Sequence, residues 1–184
     1  MRRLFFGLEL PDDWKENLRH LQSTLQTHHV DASAWSNPSL LHITVLFLGL
    51  VPEEQLPLIV DAGQAAATSS SPIRLTSGDY GQFSRNKVFW LGLRRNDTDW
   101  EKLVHLHESV KKEVLSRMSL DLDEKHYKPH ITMARKLRAQ VDVDKLAAPA
   151  AMKTTIPDLC LFESLRIDGQ LSYPVRARFP LGSQ

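Results

Sequence analysis

One pattern in this chain combines residue types that do chemistry with a spacing that repeats. His42-Ile43-Thr44 recurs as His130-Ile131-Thr132, 88 residues on and nearly half the chain length away. Each copy follows a proline (Pro38, Pro129) and opens an apolar, β-branched stretch, LLHITVLFLGL in the first case and HITMAR in the second. Side chains at i and i+2 of a strand project from one face. His42 and Thr44 therefore point one way with Ile43 and Val45 behind them, and His130 and Thr132 do the same in front of Ile131 and Met133. An internal duplication is the simplest reading of such spacing. Two related strands facing each other would line one groove with two imidazoles and two hydroxyls on rigid backbone.

Two imidazoles near neutral pH can divide labour, one neutral as general base and one protonated as general acid. That division suits displacement at phosphorus. The base deprotonates an attacking water or hydroxyl, and the acid protonates the departing oxygen. Threonine hydroxyls can donate to the non-bridging oxygens, where charge accumulates. Spacing alone leaves the two histidines interchangeable. A single His-x-Ser/Thr carries little weight: His107-Glu108-Ser109 has the same form and reads as helix surface. The identity of the two triplets carries the reading. Zinc wants three or four His, Cys or carboxylate ligands, and neither triplet is flanked by Asp or Glu. No metal and no cofactor are expected.

Other residues are candidates for substrate contact. Trp35 and Tyr127 lie just upstream of the two motifs, where a groove rim would offer base-stacking surfaces. Phe47 could stack likewise, although its parity with Ile43 and Val45 equally fits the core. The run 125–138 carries Lys125, Lys128, Arg135, Lys136 and Arg138 without an acid, a local cluster suited to phosphate; Lys136 and Arg138 read as solvated rim, and so does His126. Trp90 and Trp100 read as core, and Cys160 as an inert buried thiol.

The elements that must position these residues are legible from periodicity. RRLFFGLEL alternates (Leu4, Phe6, Leu8, Leu10) as a half-buried strand. Pro11-Asp12-Asp13 opens a helix striped by Trp14, Leu18, Leu21 and Leu25. Helices are also expected over 53–67 and about Thr98–Arg117, and strands over LLHITVLFLGL, IRLTSGDYGQF, NKVFWLGL, HITMAR, 158–167 and 173–179. That order describes an α+β protein with helices covering sheet faces. The 184 residues, at +1 net charge with 42% hydrophobic and 24% charged residues, exclude disorder and a polyanion magnet held by bulk charge. One cysteine excludes an intrachain disulfide framework. The apolar run after Met1-Arg2-Arg3 ends too early for a signal peptide, and no stretch approaches the roughly 20 apolar residues of a membrane span. A soluble, cytoplasmic protein is expected, monomeric by default.

With both H-x-T motifs in place, the chain resembles the two-histidine phosphoesterase superfamily, and within it the bacterial RNA 2',3'-cyclic phosphodiesterases of the 2'-5' RNA ligase family. RRLFFGLELP, LLHITVLFLG, KVFWLGL, YKPHITMAR and LCLFESLRIDGQLSYPV follow that family in order and spacing, across essentially the whole chain. The resemblance implies one bilobal α+β unit over 1–184, with two antiparallel sheets and outer helices around a central groove. It implies metal-independent opening of RNA 2',3'-cyclic phosphates to 2'-phosphates, possible in reverse as 2'-5' ligation. Carried over, His42 is the proton donor, His130 the acceptor, and Thr44 and Thr132 hold the phosphate oxygens. It also marks Arg135 as a substrate contact, although strict alternation puts Arg135 on the opposite face from His130. The implied partners are RNA or oligonucleotides with cyclic phosphate ends, including tRNA halves, or cyclic mononucleotides. The rival reading is a non-catalytic RNA-binding module using the same groove.

Overall fold

Pro11, extended at φ −67°, ends the first strand and starts a helix whose first turn carries Asp12 and Asp13, where free N–H groups favour negative charge. The computed structural model, which describes residues 1–182, runs through eleven strands and three α-helices. These are β1 (Arg2–Glu9), α1 (Asp12–His28), β2 (Ala32–Trp35), β3 (His42–Val51), α2 (Leu56–Thr68), β4 (Ile73–Phe83) and β5 (Val88–Leu93). They continue with α3 (Trp100–Arg117), β6 (Ile131–Leu137), β7 (Lys153–Ile156), β8 (Asp158–Glu163), β9 (Leu165–Ile167), β10 (Gln170–Ser172) and β11 (Val175–Pro180). Three short strands, β2, β7 and β10, escaped the periodicity, having only three or four residues each. The run expected over 158–167 breaks at Ser164 into β8 and β9.

The strands form two antiparallel sheets fused along a thin seam. On one side lie β11, β8, β1 and β3; on the other lie β6, β5, β4 and β7, with β2 along β6. The seam is a single backbone pair, Ile43 with Ile131. A separate hairpin, β9–β10, follows β8.

Two of the outer helices, α1 and α3, reach across the seam. From α1, which follows β1, Trp14 Nε1 donates to the Lys153 carbonyl at 3.4 Å and Gln22 Nε2 to the Met133 carbonyl at 3.0 Å, both in the second sheet. From α3, which follows β5, His107 reaches the Val45 carbonyl of the first sheet at 2.7 Å. α2 covers the first sheet so closely that a Cβ on Gly63 would stand 2.6 Å from the Phe179 ring and 2.8 Å from Phe6. One continuous core results, with Phe6, Leu161 and Phe179 of the first sheet and Leu75, Phe89 and Met133 of the second.

β1 departs from the half-buried strand its alternation predicts. Leu4, Phe6 and Leu8 face the helices as expected, but Phe5 is buried too, against Phe162, Cys160 and Tyr173 on the opposite face. The reason is tertiary: β1 is an interior strand between β3 and β8, and its outward face is covered by aromatic side chains of the groove.

Candidate active site

The seam brings the two triplets together. Ile43 pairs with Ile131, so the residues flanking those isoleucines, His42 and Thr44 with His130 and Thr132, stand on neighbouring strands and line one cavity of about 510 Å³. Ile43 and Ile131 are fully buried behind them.

Beyond the triplets, both strands carry the same irregularity. In β3, Thr44 faces Gly7 and Leu46 faces Phe6, which leaves Val45 opposite no residue of β1. In β6, Thr132 faces Trp90 and Ala134 faces Phe89, which leaves Met133 opposite no residue of β5. An extra residue of this kind is a β-bulge, and it inverts the alternation downstream. Burial follows suit. Val45 and Leu46 are buried in succession before exposed Phe47, and Met133 and Ala134 before exposed Arg135. Phe47 and Arg135, each three residues after its threonine, are thereby turned to the groove that strict alternation would deny them. Both line the cavity of the histidines. Phe47 lies 5.7 Å from Phe5, whose ring also packs 4.9 Å from His42.

The two imidazoles are held alike. His42 Nδ1 donates to the Leu40 carbonyl at 2.7 Å and His130 Nδ1 to the Lys128 carbonyl at 2.6 Å. A carbonyl can only accept, so Nδ1 carries the proton in each ring and Nε2 is the working atom. His42 Nε2 sits 3.1 Å from Thr44 Oγ1. Each ring also stands on aromatic neighbours. His42 has Phe5, Phe162 at 5.9 Å and Tyr173 edge-on at 5.3 Å; His130 has Phe83 edge-on at 5.0 Å and Trp90 at 6.2 Å. Burial among these rings pushes His42 down to about 4, aided by the charges of Arg135 and His130 and opposed by the Leu40 carbonyl. His130 is lowered for the same first reason, with Arg135 and Lys128 adding to it and the Lys128 carbonyl opposing. In the free protein at neutral pH both rings are poised as bases.

A second cavity, of about 400 Å³, opens on the other side of His42 and is lined by Trp35, Asn37, Leu40, Leu171 and Tyr173. It shares His42, Thr132 and Arg135 with the first. The site is thus a two-armed groove with the histidines where the arms meet. Trp35 lines the second arm.

Tyr127 lines the first arm but has a different job from the base platform its position predicts. Its ring lies parallel to His107, centroids 4.3 Å apart, and its hydroxyl donates to the Thr44 carbonyl at 2.9 Å. His107 corrects a second expectation: it is 8% exposed, not helix surface, because α3 turns that face onto β3. Arg138 pairs with Asp31, away from the groove, while Lys125, His126 and Lys128 edge the first arm. Sequence reasoning missed the aromatic walls (Phe5, Phe83, Phe162, Tyr173), whose only signal is the clustering of aromatics in segments that turn out to be adjacent. Among the described residues no group of three or more His, Cys, Asp or Glu is placed to hold a metal ion, and no helix is long and apolar enough to cross a membrane.

Two H-x-T strands meeting back to back in a duplicated antiparallel α+β frame define a two-histidine phosphoesterase architecture. The chain belongs to the 2'-5' RNA ligase superfamily, whose sequence profile matches residues 10–166. It is similar to the RNA 2',3'-cyclic phosphodiesterase of Escherichia coli K12, with 30% identity over 137 residues, covering 73% of this chain and 72% of the relative. It is 29% identical over 154 residues to the enzyme of the same name from Geobacillus stearothermophilus, covering 80% of this chain. The match spans only about half, 47%, of that longer relative. A crystal structure of a phosphoesterase shares the fold at a TM-score of 0.82 and 25% identity, covering 99% of both chains.

Proposed function

We propose that the protein opens RNA 2',3'-cyclic phosphates to 2'-phosphomonoesters by acid–base catalysis between His42 and His130. The observation that carries this reading is the matched pair of imidazoles. Each has its Nδ1 proton committed to a backbone carbonyl, which leaves each Nε2, that of His42 beside the Thr44 hydroxyl, to exchange a proton with what lies in the shared cavity. In the proposed reaction a water oxygen attacks phosphorus and passes its proton to His130 Nε2. The bond from phosphorus to the 3' oxygen breaks, and that oxygen takes the proton from His42 Nε2. Thr44 and Thr132 donate to the non-bridging oxygens. His42 must carry a proton to act as donor, and the anionic phosphodiester supplies the means. A negative charge beside an imidazole favours its charged form, against the burial and the Arg135 cation that depress it in the free protein.

Aromatic surfaces in both arms, Phe47 and Phe83 in one and Trp35 and Tyr173 in the other, suit unstacked bases of single-stranded RNA ends. The proposed substrates are therefore oligonucleotides with cyclic phosphate ends, tRNA halves or cyclic mononucleotides. A 5'-hydroxyl attacking in place of water would break the same bond to the 3' oxygen and leave a 2'-5' phosphodiester, joining two ends. The proposed setting is the cytoplasm, where the buried Cys160, its thiol pushed up to about 11 by burial, stays a thiol.

The test is incubation with a 2',3'-cyclic-phosphate oligonucleotide followed by identification of the phosphate isomer. A 2'-phosphate is expected. A 3'-phosphate would overturn the assignment of the leaving oxygen, and tight, salt-dependent binding without product would turn the groove into an RNA-binding module.

A further inference from the structure

Buried polar side chains on helices are costly unless bonded, and two of them stand in equivalent places. Gln22 is 5% exposed and His107 is 8% exposed, each on the core-facing side of a long helix. Gln22 Nε2 donates to the carbonyl of Met133 at 3.0 Å and to that of Ser36 at 2.9 Å. His107 Nδ1 donates to the carbonyl of Val45 at 2.7 Å. Val45 and Met133 are the bulged residues that directly follow the two threonines. Each bulge carbonyl is therefore capped by the helix that crosses over from the other half of the chain: α1 holds the second motif, α3 the first.

We propose that Gln22 and His107 are a pair of positioning residues that keep the two bulges formed and so aim Arg135 and Phe47 into the groove. A bulge leaves its extra residue outside the regular ladder. Unless that carbonyl finds another donor, the strand gains by slipping back to regular pairing. Slippage by one residue sends every downstream side chain to the other face. Met133 is held on this edge by the Ser36 N–H at 3.0 Å as well as by Gln22. On the Val45 side the neighbouring Thr44 carbonyl takes the Tyr127 hydroxyl, and Tyr127 in turn stacks on His107. Neither Gln22 nor His107 touches the reacting atoms in this scheme. The inference rests on the groove being a phosphodiester site, and it adds residues that neither motif spacing nor the fold family assigns.

The experiment is a pair of mutant cycles on a 2',3'-cyclic-phosphate oligonucleotide, run well below each variant's melting temperature. Gln22→Met keeps length and removes the donor. It is expected to lower kcat/KM by about 10- to 100-fold through misplacement of Arg135, but by no more than about threefold in an Arg135→Ala background, where nothing is left to misplace. His107→Leu is expected to raise KM in the wild type and to lose that effect in a Phe47→Ala background. His107→Gln, which keeps an N–H donor, should restore KM. Equal fold losses in the wild type and the Arg135→Ala or Phe47→Ala background would mark a merely structural role and overturn the proposal, as would no loss at all. The two cycles are independent, so if one variant fails to fold the other decides. A wild-type protein inert on the cyclic substrate would instead defeat the functional reading itself, a distinct result.

Discussion

Burial sets the position of His42 on the pH scale. Its ring titrates at about 4 against an ordinary 6.5, with burial the largest cause. Three rings form the wall: Phe5 at 4.9 Å, Phe162 at 5.9 Å and Tyr173 at 5.3 Å. Phe5 and Phe162 are buried, at 2% and 5% exposure, and support the sheet. Tyr173 is half-buried at the mouth of the second arm. Tyr173→Ala therefore admits water to His42 with the least disturbance. Removing one of three rings should restore on the order of a third of the lost basicity, roughly 0.8 pH unit, moving His42 from about 4 to nearly 5. The assay is an imidazole NMR titration from acid to neutral pH in both proteins. A linked readout has a defined sign. The unfolded chain protonates His42 near its ordinary value, whereas the folded chain does so only near 4. Between those values the unfolded state binds more protons, so stability present at neutral pH is lost as pH falls through this window. Urea midpoints at neutral and acid pH should show that His42-linked loss shrinking in Tyr173→Ala. A wild-type His42 titrating at its ordinary value, or the same value in both proteins, would refute the burial account.

Three other outcomes follow from the same geometry. His42→Ala and His130→Ala should each lose about 10²- to 10⁴-fold in kcat on the cyclic substrate with the melting temperature nearly unchanged, and near-normal turnover in either would end the two-histidine mechanism. A substrate with sulfur in place of the 3' oxygen, which leaves without a proton, should rescue His42→Ala but not His130→Ala; the opposite pattern would exchange the donor and acceptor. Gly63→Ala puts a methyl into the Phe179 and Phe6 rings and should cost about 1–3 kcal/mol by overpacking. The loss should be read as a lower midpoint of one transition for the whole chain, because the core is continuous across both sheets; two separated transitions would contradict that.

Much of the frame was legible. α1 and α3 follow their apolar stripes, and α2 begins at Leu56, after a short 3-10 turn over Glu53–Gln55, three residues later than its stripe predicts. The exceptions share a cause. Gln22 sits in the buried stripe of α1 while Leu21 beside it is only half-buried, and His107 takes a core position on α3. Hydrophobicity alone places neither, because what makes each burial tolerable is a carbonyl more than sixty residues away in the chain. The second face of β1 was hidden for the same reason: the partners of Phe5 come from β8 and the segment before β11.

Arg135 and Phe47 draw the line between what the chain announces and what folding decides. Local order alone determined the chemistry: two identical triplets, period-two strands beneath them, and a hydroxyl beside each imidazole, since i and i+2 share a face whatever surrounds the strand. Which way the next residues point was not in that pattern. The parity of Phe47 and Arg135 depends on bulges at Val45 and Met133, and a bulge exists only relative to the strand that pairs with it. The basicity of His42 likewise depends on rings delivered from distant segments. Residue types and spacing are properties of the chain; register and burial arise only once partners have met.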